Sequence, residues 1–274
     1  MTQPVVLVPL DGSPEALGAL PVARRLAELQ KASLRILHVT DETRPLGETA
    51  KALGLAAADL RGATLEVCGG HPAERMLAAA EERGATLIVM SAQATDAAPL
   101  AVICEARCPV ILVNPARARS GWTLGRVLAL HDGSPSISGA LEPAAELARA
   151  ADAELIVLQV ASDTRALEAG SMAPPRYVDQ VQHSWPAWSA EFLHRLGSIC
   201  SLADVPVRLL VARGEPAVET IRVAGEESAD LIVLAWKGRW QAPHAATLRT
   251  LLSEARCPIM VTRAAKSEGS STPD

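Results

Sequence analysis

The 274 residues suffice for two domains of ordinary size, and 49% of them are hydrophobic although the chain has only one Phe and one Tyr. Ala, Val, Leu and Ile must therefore build the cores, as they do around buried parallel sheets. The net charge of −5 argues against nucleic acid and against an anionic membrane surface as partners, because both call for a basic face.

The start of the chain and the cysteines bear on where the protein works. No basic segment precedes an apolar one, and no apolar run approaches the roughly 20 residues that cross a bilayer. We therefore expect a cytoplasmic protein whose five cysteines are reduced thiols, mostly buried. Cys104 and Cys108 lie four positions apart, but no nearby His or second Cys pair completes a metal site, so we predict no metal ligands.

In chain order, the first half alternates predicted strands and helices. The spacing of Leu and Ala predicts helices over Pro14–Gln30 and Ala73–Arg83. Alternation of this kind implies right-handed crossovers and a parallel sheet. Short apolar or β-branched runs predict the five strands of that sheet near Val5–Pro9, Leu34–Val39, Thr64–Val67, Thr86–Met90 and Val110–Val113.

The second half repeats the landmarks of the first. Asp11-Gly12-Ser13-Pro14 recurs 121 residues later as Asp132-Gly133-Ser134-Pro135, and Glu105-Ala106-Arg107-Cys108-Pro109 recurs as Glu254-Ala255-Arg256-Cys257-Pro258. The halves are therefore duplicates. We predict a first domain over residues 1–116, a second over 117–265 with a linker around 115–122, and a disordered polar tail over 266–274.

One insertion distinguishes the halves. The offset between them grows from 121 to 144 residues across 162–206, a segment that contains Tyr177, His183, Trp185, Trp188, Phe192 and His194. Helical spacing from Gln182 to Leu202 favours an added helix whose aromatic residues pack on the sheet. The alternative is a surface for a ligand or a partner.

Each copy of Asp-Gly-Ser-Pro follows an apolar run and predicts a strand, a tight turn and a helix, with Ser as N-cap and Pro at the first helical position. In an open parallel sheet this turn lies at the carboxyl end of a strand, where ligands bind. Asp11 and Asp132 either contact a ligand or accept backbone N–H groups of their own turns. His131, Asp132 and Ser134 superficially suggest a nucleophilic triad, but adjacent strand residues face opposite sides. We nominate no catalytic residue.

Taken together and in order, these motifs resemble the universal stress protein family. They are the strand ending in Pro-Leu-Asp-Gly-Ser, the strand ending in His38-Val39, the Gly-x-Pro motif before the third helix, and the Leu-Ile-Val strand followed by Cys-Pro and the last strand. The resemblance covers about residues 4–114 and 125–263. It implies two Rossmann-like α/β domains, each a five-stranded parallel sheet of order 3-2-1-4-5 with two helices on each face.

Many proteins of this family bind ATP, and the resemblance places that ligand on particular residues here. Asp11 and Val39 in the first half, and Asp132 and Val160 in the second, would hold adenine, beside the turn residues Gly133 and Ser134. The Gly-x-Pro loops, Gly70-His71-Pro72 and Gly214-Glu215-Pro216, would lie by the ribose.

The glycine-rich phosphate loop of the family is degenerate in both halves. The first half has no glycine from Ser91 to Ala98 and carries Asp96, whereas the second keeps only Gly238, beside Lys237 and Arg239. Glycines let backbone N–H groups converge on phosphate, so ATP binding is expected to be weak, and more so in the first half. Lys237 and Arg239 would supply positive charge for the phosphates, and Trp236 or Trp240 would offer a surface on which a ring stacks. The alternative is that this segment is a solvated loop held to the protein by its Trp side chains.

We therefore predict a stress-response regulatory protein that binds a nucleotide or a protein partner without catalysis. The alternatives are an ATP-binding, weakly hydrolysing nucleotide sensor that uses the second domain, and a binder of a hydrophobic molecule beside the Trp-rich insertion. Family members commonly pair through their fifth strands, so the resemblance implies that Pro109–Asn114 and Pro258–Arg263 join the halves as a pseudo-dimer. Association into a homodimer is left open.

Overall fold

A computed structural model describes residues 3–93, 96–117, 121–138, 141–161, 181–236 and 243–263. Within these ranges ten strands form one sheet, flanked by helices on both faces. The strands of the first half are β1 (Val5–Pro9), β2 (Ser33–Val39), β3 (Ala63–Cys68), β4 (Ala85–Ser91) and β5 (Val110–Val113). Those of the second are β6 (Arg126–His131), β7 (Glu154–Ala161), β8 (Val207–Arg213), β9 (Leu231–Trp236) and β10 (Ile259–Arg263).

The helices of the first half are α1 (Ala19–Gln30), α2 (Leu46–Ala52), α3 (Pro72–Glu82) and α4 (Ala97–Glu105). The second half contributes α5 (Pro135–Ser138), α6 (Glu142–Ala151), α7 (Val181–Ile199), α8 (Pro216–Glu226) and α9 (Pro243–Glu254). Strand β1 begins at Val5, as predicted, and α3 begins at Pro72, one residue before its predicted start at Ala73. The predicted first helix begins later than expected, because a 3-10 turn over Ala16–Gly18 precedes α1.

The sheet confirms the predicted topology in both halves. Its order is β3-β2-β1-β4-β5-β10-β9-β6-β7-β8, so each half has the order 3-2-1-4-5 and all pairs within a half are parallel. The fifth strands meet in the middle as an antiparallel pair, with Met260 opposite Ile111. The halves are therefore joined as the resemblance implied, as a pseudo-dimer within one chain.

Alternating strand residues divide the core into two layers that both run across the two halves. Val6 of β1 and Val127 of β6 face the layer of α1, α2, α6 and α7, while Leu7 and Leu128 face α3, α4, α8 and α9. These strands are buried on both faces, which explains their continuous apolar sequence. The layers leave the carboxyl ends of the strands as the open edge of each half.

The insertion contains the predicted helix, since α7 covers Val181–Ile199, and its Phe192 and Leu196 pack into the first layer. The prediction that aromatic residues fasten this helix to the sheet is confirmed for Phe192. Tyr177, the side chains of His183, Trp185 and Trp188, and the tail over 266–274 lie outside the described residues.

Two further expectations concern the thiols and the membrane. All five cysteines are free, but the expectation that most are buried is wrong, because only Cys200 is buried and the other four are half-buried at the ends of strands and helices. Among the described helices, none is both long and apolar enough to cross a membrane.

Candidate functional site

A pocket opens at the carboxyl ends of β6, β7 and β9 in the second half. In the sheet, β6 lies between β7 and β9. The connection after β6 leads to β7 on one side, and the connection after β9 leads to β10 on the other side. The strand order therefore reverses between β6 and β9, and open α/β sheets bind ligands at such a switch point. Seven of its ten lining residues are apolar, which suits a flat, weakly polar group. The lining residues are Leu130, His131, Asp132, Ile137, Leu158, Val160, Pro216, Leu234, Ala235 and Thr247.

Asp132 stands on a tight turn at the end of β6. Its Oδ1 accepts hydrogen bonds from the Ser134 backbone N–H at 3.0 Å and from Ser134 Oγ at 2.5 Å. Gly133 between them has φ +83°, a conformation that side chains other than glycine rarely adopt. The turn therefore fixes the carboxylate while leaving Asp132 on the wall of the pocket.

His131 precedes this turn and is buried, with 4% of its surface exposed. Its Nδ1 accepts the Gly133 backbone N–H at 2.8 Å, so the ring proton sits on Nε2, which lies 2.9 Å from Ser138 Oγ. The Ser138 hydroxyl in turn donates to the Ser134 carbonyl oxygen at 3.4 Å. Asp132 and His131 thus bond to different partners, and the superficial triad does not form a relay.

The Gly-x-Pro loop of the second half meets the same pocket. Gly214 has φ +139° and donates its N–H to the Ala161 carbonyl oxygen at 3.2 Å, which holds the loop against the end of β7. Glu215 caps α8 by accepting the Val218 N–H at 2.9 Å, and Pro216 lines the pocket. Val160 lines it as well, so the structure brings together Asp132, Val160 and the Gly214 loop.

In the first half, carboxylates close the corresponding loops. Asp11 accepts from the Ser13 N–H at 2.8 Å, as Asp132 does from Ser134, but Asp11 is exposed. Asp41 accepts the Gly70 N–H at 3.0 Å, and Asp96 accepts the Gln93 N–H at 2.7 Å. Backbone N–H groups of the Gly-x-Pro loop and of the loop after β4 are thereby used internally, next to negative charge.

Comparison with known proteins identifies the architecture. A model of the universal stress protein family matches residues 4–58 and 123–263, which together exceed half of the chain. The chain belongs to the universal stress protein family. The match runs through the whole second half to β10, whereas in the first half it stops before β3 and the Gly70 loop.

Universal stress protein YxiE of Bacillus subtilis (strain 168) is 27% identical over 117 residues, covering 41% of this chain and 79% of that protein. A universal stress protein structure from Archaeoglobus fulgidus DSM 4304 has 17% identity and a TM-score of 0.65, covering 97% of this chain and 98% of that one. Protein PA1789 of Pseudomonas aeruginosa PAO1, of unknown function, has 18% identity and a TM-score of 0.64, with 95% and 92% covered. These structures share the tandem fold.

Several residues expected at the universal stress protein site are either buried in the core or outside the described residues. Lys237 and Gly238, with Arg239 and Trp240, lie outside the described residues. Trp236 is 1% exposed, packs into the core layer beneath α8 and α9, and is not among the residues that line the pocket, so its suggested stacking role is wrong. Among the described residues no group of three or more His, Cys, Asp or Glu side chains is placed to hold a metal ion.

Sequence reasoning missed the bonding of His131 and the contribution of Ser138. The signal was present in the internal repeat, because His131 and Ser138 align with Leu10 and Leu17 of the first half. Two apolar positions in one copy, Leu10 buried and Leu17 partly buried, are a polar pair in the other.

Proposed function

We propose that this universal stress protein is a non-catalytic stress-response regulator whose second half binds an adenine nucleotide, while its first half does not. One observation carries the proposal. The pocket at the β6–β9 switch point joins Asp132, Val160 and Pro216, three positions that the family resemblance assigns to adenine and ribose.

The chemistry of the pocket supports a purine base. Leu130, Leu158 and Leu234 supply apolar walls, which favour a flat aromatic ring. An Asp132 carboxylate on one side would accept the exocyclic amino group of adenine. Hydrogen bonds to a charged group contribute about 1.5–3 kcal/mol, enough to select an amino-bearing base.

The phosphates would be held more weakly than in a glycine-rich loop. Lys237 and Gly238 are the candidate contacts in the second half, with Gly133 and Ser134 at the turn. In the first half, Asp96 belongs to the loop after β4 that would hold the phosphates, where it accepts the Gln93 N–H, and Asp41 accepts the Gly70 N–H. A negatively charged ligand would therefore be repelled there. In this proposal, Asp11 and Val39 occupy the positions that correspond to the adenine site but no longer bind a nucleotide.

The proposal extends to the whole chain. We place the domain boundaries at 1–116 and 117–265, with a cytoplasmic location and no nucleic-acid or membrane partner. The fifth strands already pair with each other, so a homodimer would need a different surface.

Calorimetric titration with ATP and magnesium tests the proposal, using the wild type, Asp132→Ala and the matched Asp11→Ala variant. We expect one site per chain with a Kd between roughly ten micromolar and one millimolar. Asp132→Ala should weaken binding at least about tenfold, since it removes a charged acceptor, and Asp11→Ala should leave it unchanged.

Asp132→Asn separates the ligand contact from the turn, because its Oδ1 still accepts from Ser134. Absence of heat up to millimolar ATP, or equal losses in the Asp11 and Asp132 variants, would contradict the proposal. Steady release of phosphate that Asp132→Ala abolishes would favour the hydrolysing alternative instead.

A further inference from the structure

We propose that His131 is a positioning residue, which holds the Asp132 turn in its ligand-binding shape and ties that shape to the docking of α7. The inference rests on the proposed function for its ligand readout, but it stands on the geometry of a buried polar chain. That chain runs from the Gly133 N–H through both ring nitrogens of His131 to Ser138 Oγ and the Ser134 carbonyl.

The chain of bonds holds the turn at two points that follow Asp132. The Gly133 N–H is bonded to His131 and the Ser134 carbonyl oxygen to Ser138. Because His131 and Ser138 are only 4% and 5% exposed, loss of the ring would leave the Gly133 amide without its acceptor in a largely buried position, which is costly. The orientation of the Asp132 carboxylate then depends on the imidazole ring of the preceding residue, His131.

The first half shows the same turn without this polar pair. Leu10 and Leu17 occupy the equivalent positions. Asp11 Oδ1 accepts from the Ser13 N–H and hydroxyl, and the ring of His38 bonds to the Leu10 carbonyl oxygen at 2.8 Å, but none of the described contacts reaches the Gly12 amide. Leu10 is buried, so it contributes packing but no acceptor to the Gly12 amide. The polar pair is therefore a feature of the half that carries the pocket.

A second contact links the ring to the inserted helix. The ring of Phe192 on α7 meets the His131 ring edge to face, with centroids 5.0 Å apart and planes at 82°. Phe192 is 3% exposed, so this contact is made inside the core layer. In the first half the shorter α2 lies between the second and third strands, and it carries no aromatic residue. The insertion thus buttresses the pocket through His131.

Three substitutions at one position separate the roles of the two nitrogens. Asn places an acceptor near Nδ1 and keeps the Gly133 bond, Gln reaches the Nε2 position and keeps the Ser138 bond, and Leu copies the first half. His194→Leu, which removes an exposed histidine of α7, is the matched control.

We expect His131→Leu and His131→Gln to raise the Kd for ATP roughly tenfold and His131→Asn to change it less than about threefold. Amide exchange of Gly133 and Ser134 in the ligand-free protein should accelerate in the Leu and Gln variants and stay slow in Asn and in the His194 control. Nitrogen-15 spectra of the wild type should show a neutral ring protonated at Nε2.

Equal behaviour of the Asn, Gln and Leu variants would overturn the inference, because bulk packing and not the Nδ1 bond would then hold the turn. If the wild type binds no ATP, the proposed function fails, and the amide exchange rates of Gly133 and Ser134 alone decide the role of His131. In that case, exchange of these two amides in His131→Leu as slow as in the wild type would overturn the positioning role.

Discussion

Leu10 and His131 occupy equivalent positions at the ends of β1 and β6, and they show how one side chain changes the bonding of the turn that follows a strand. Both are buried, but only His131 offers an acceptor to the following glycine. The carboxylates of Asp11 and Asp132 form the same local turn in spite of this difference. What separates the two halves at this scale is therefore the support behind the turn and the pocket beside it.

The thiols give a test at the same scale. Burial raises the pKa of Cys200 to about 11, aided by Glu142, and burial also raises the pKa of Cys108 to about 11. At pH 8 about one such thiol in a thousand is ionised, and the thiolate is the reactive form. In the native protein we expect both to react far more slowly with N-ethylmaleimide than in urea, with a rate that rises as the pH rises towards 11.

Peptide mass spectrometry of the labelled protein measures each site separately. Labelling in urea is the control, since all five cysteines should then react alike. Rapid labelling of Cys200 in native protein at pH 8 would contradict its buried position at the end of α7, where its thiol donates to the Leu196 carbonyl oxygen.

At the scale of elements, α7 is the largest difference between the halves. Phe192, Leu196 and Cys200 recur every four residues and are buried, whereas Ile199 on the same helix is 47% exposed. The apolar stripe packs the helix onto the sheet, and the edge contact with His131 connects it to the pocket. This helix is thus an integral part of the second half.

Phe192→Ala should lower the free energy of unfolding by about 3–5 kcal/mol, because it leaves a cavity between α7 and the sheet. Ile199→Ala, on the solvent side of the same helix, should cost less than about 1 kcal/mol. Urea unfolding followed by circular dichroism measures both. Equal, small losses in the two variants would mean that α7 is not fastened through Phe192.

Some elements could be predicted from the sequence to the residue, and others could not. The strands Val5–Pro9 and Val110–Val113 matched, because each is a continuous apolar run next to a proline. The sequence pattern did not predict α4, since Ala97–Glu105 is apolar on most sides and lacks helical periodicity. The repeat shows that two apolar positions of the first half are His131 and Ser138 in the second, but it does not show that Ser138 and Phe192 both meet the His131 ring in three dimensions.

At the scale of the whole molecule, the antiparallel pairing of β5 with β10 makes one sheet and two continuous core layers out of duplicated halves. The outer edges of the sheet are β3 and β8, both flanked by ion pairs such as Glu66 with Arg83 and Arg208 with Glu227. Charges of this kind discourage edge-to-edge association. The two halves share one frame but differ at their carboxyl edges, where the second half has the pocket and the first has loops whose amides are bonded to carboxylates.

Hydrogen–deuterium exchange of the intact chain, with and without millimolar ATP and magnesium, tests that asymmetry most directly. Binding to the second half predicts slower exchange in peptides that contain residues 131–138, 158–161 and 214–218, because ligand contacts suppress local opening. Peptides over the equivalent first-half positions 10–17, 37–40 and 70–74 should exchange at unchanged rates. Protection in the first half, or no protection in either half at saturating ATP, would contradict the account.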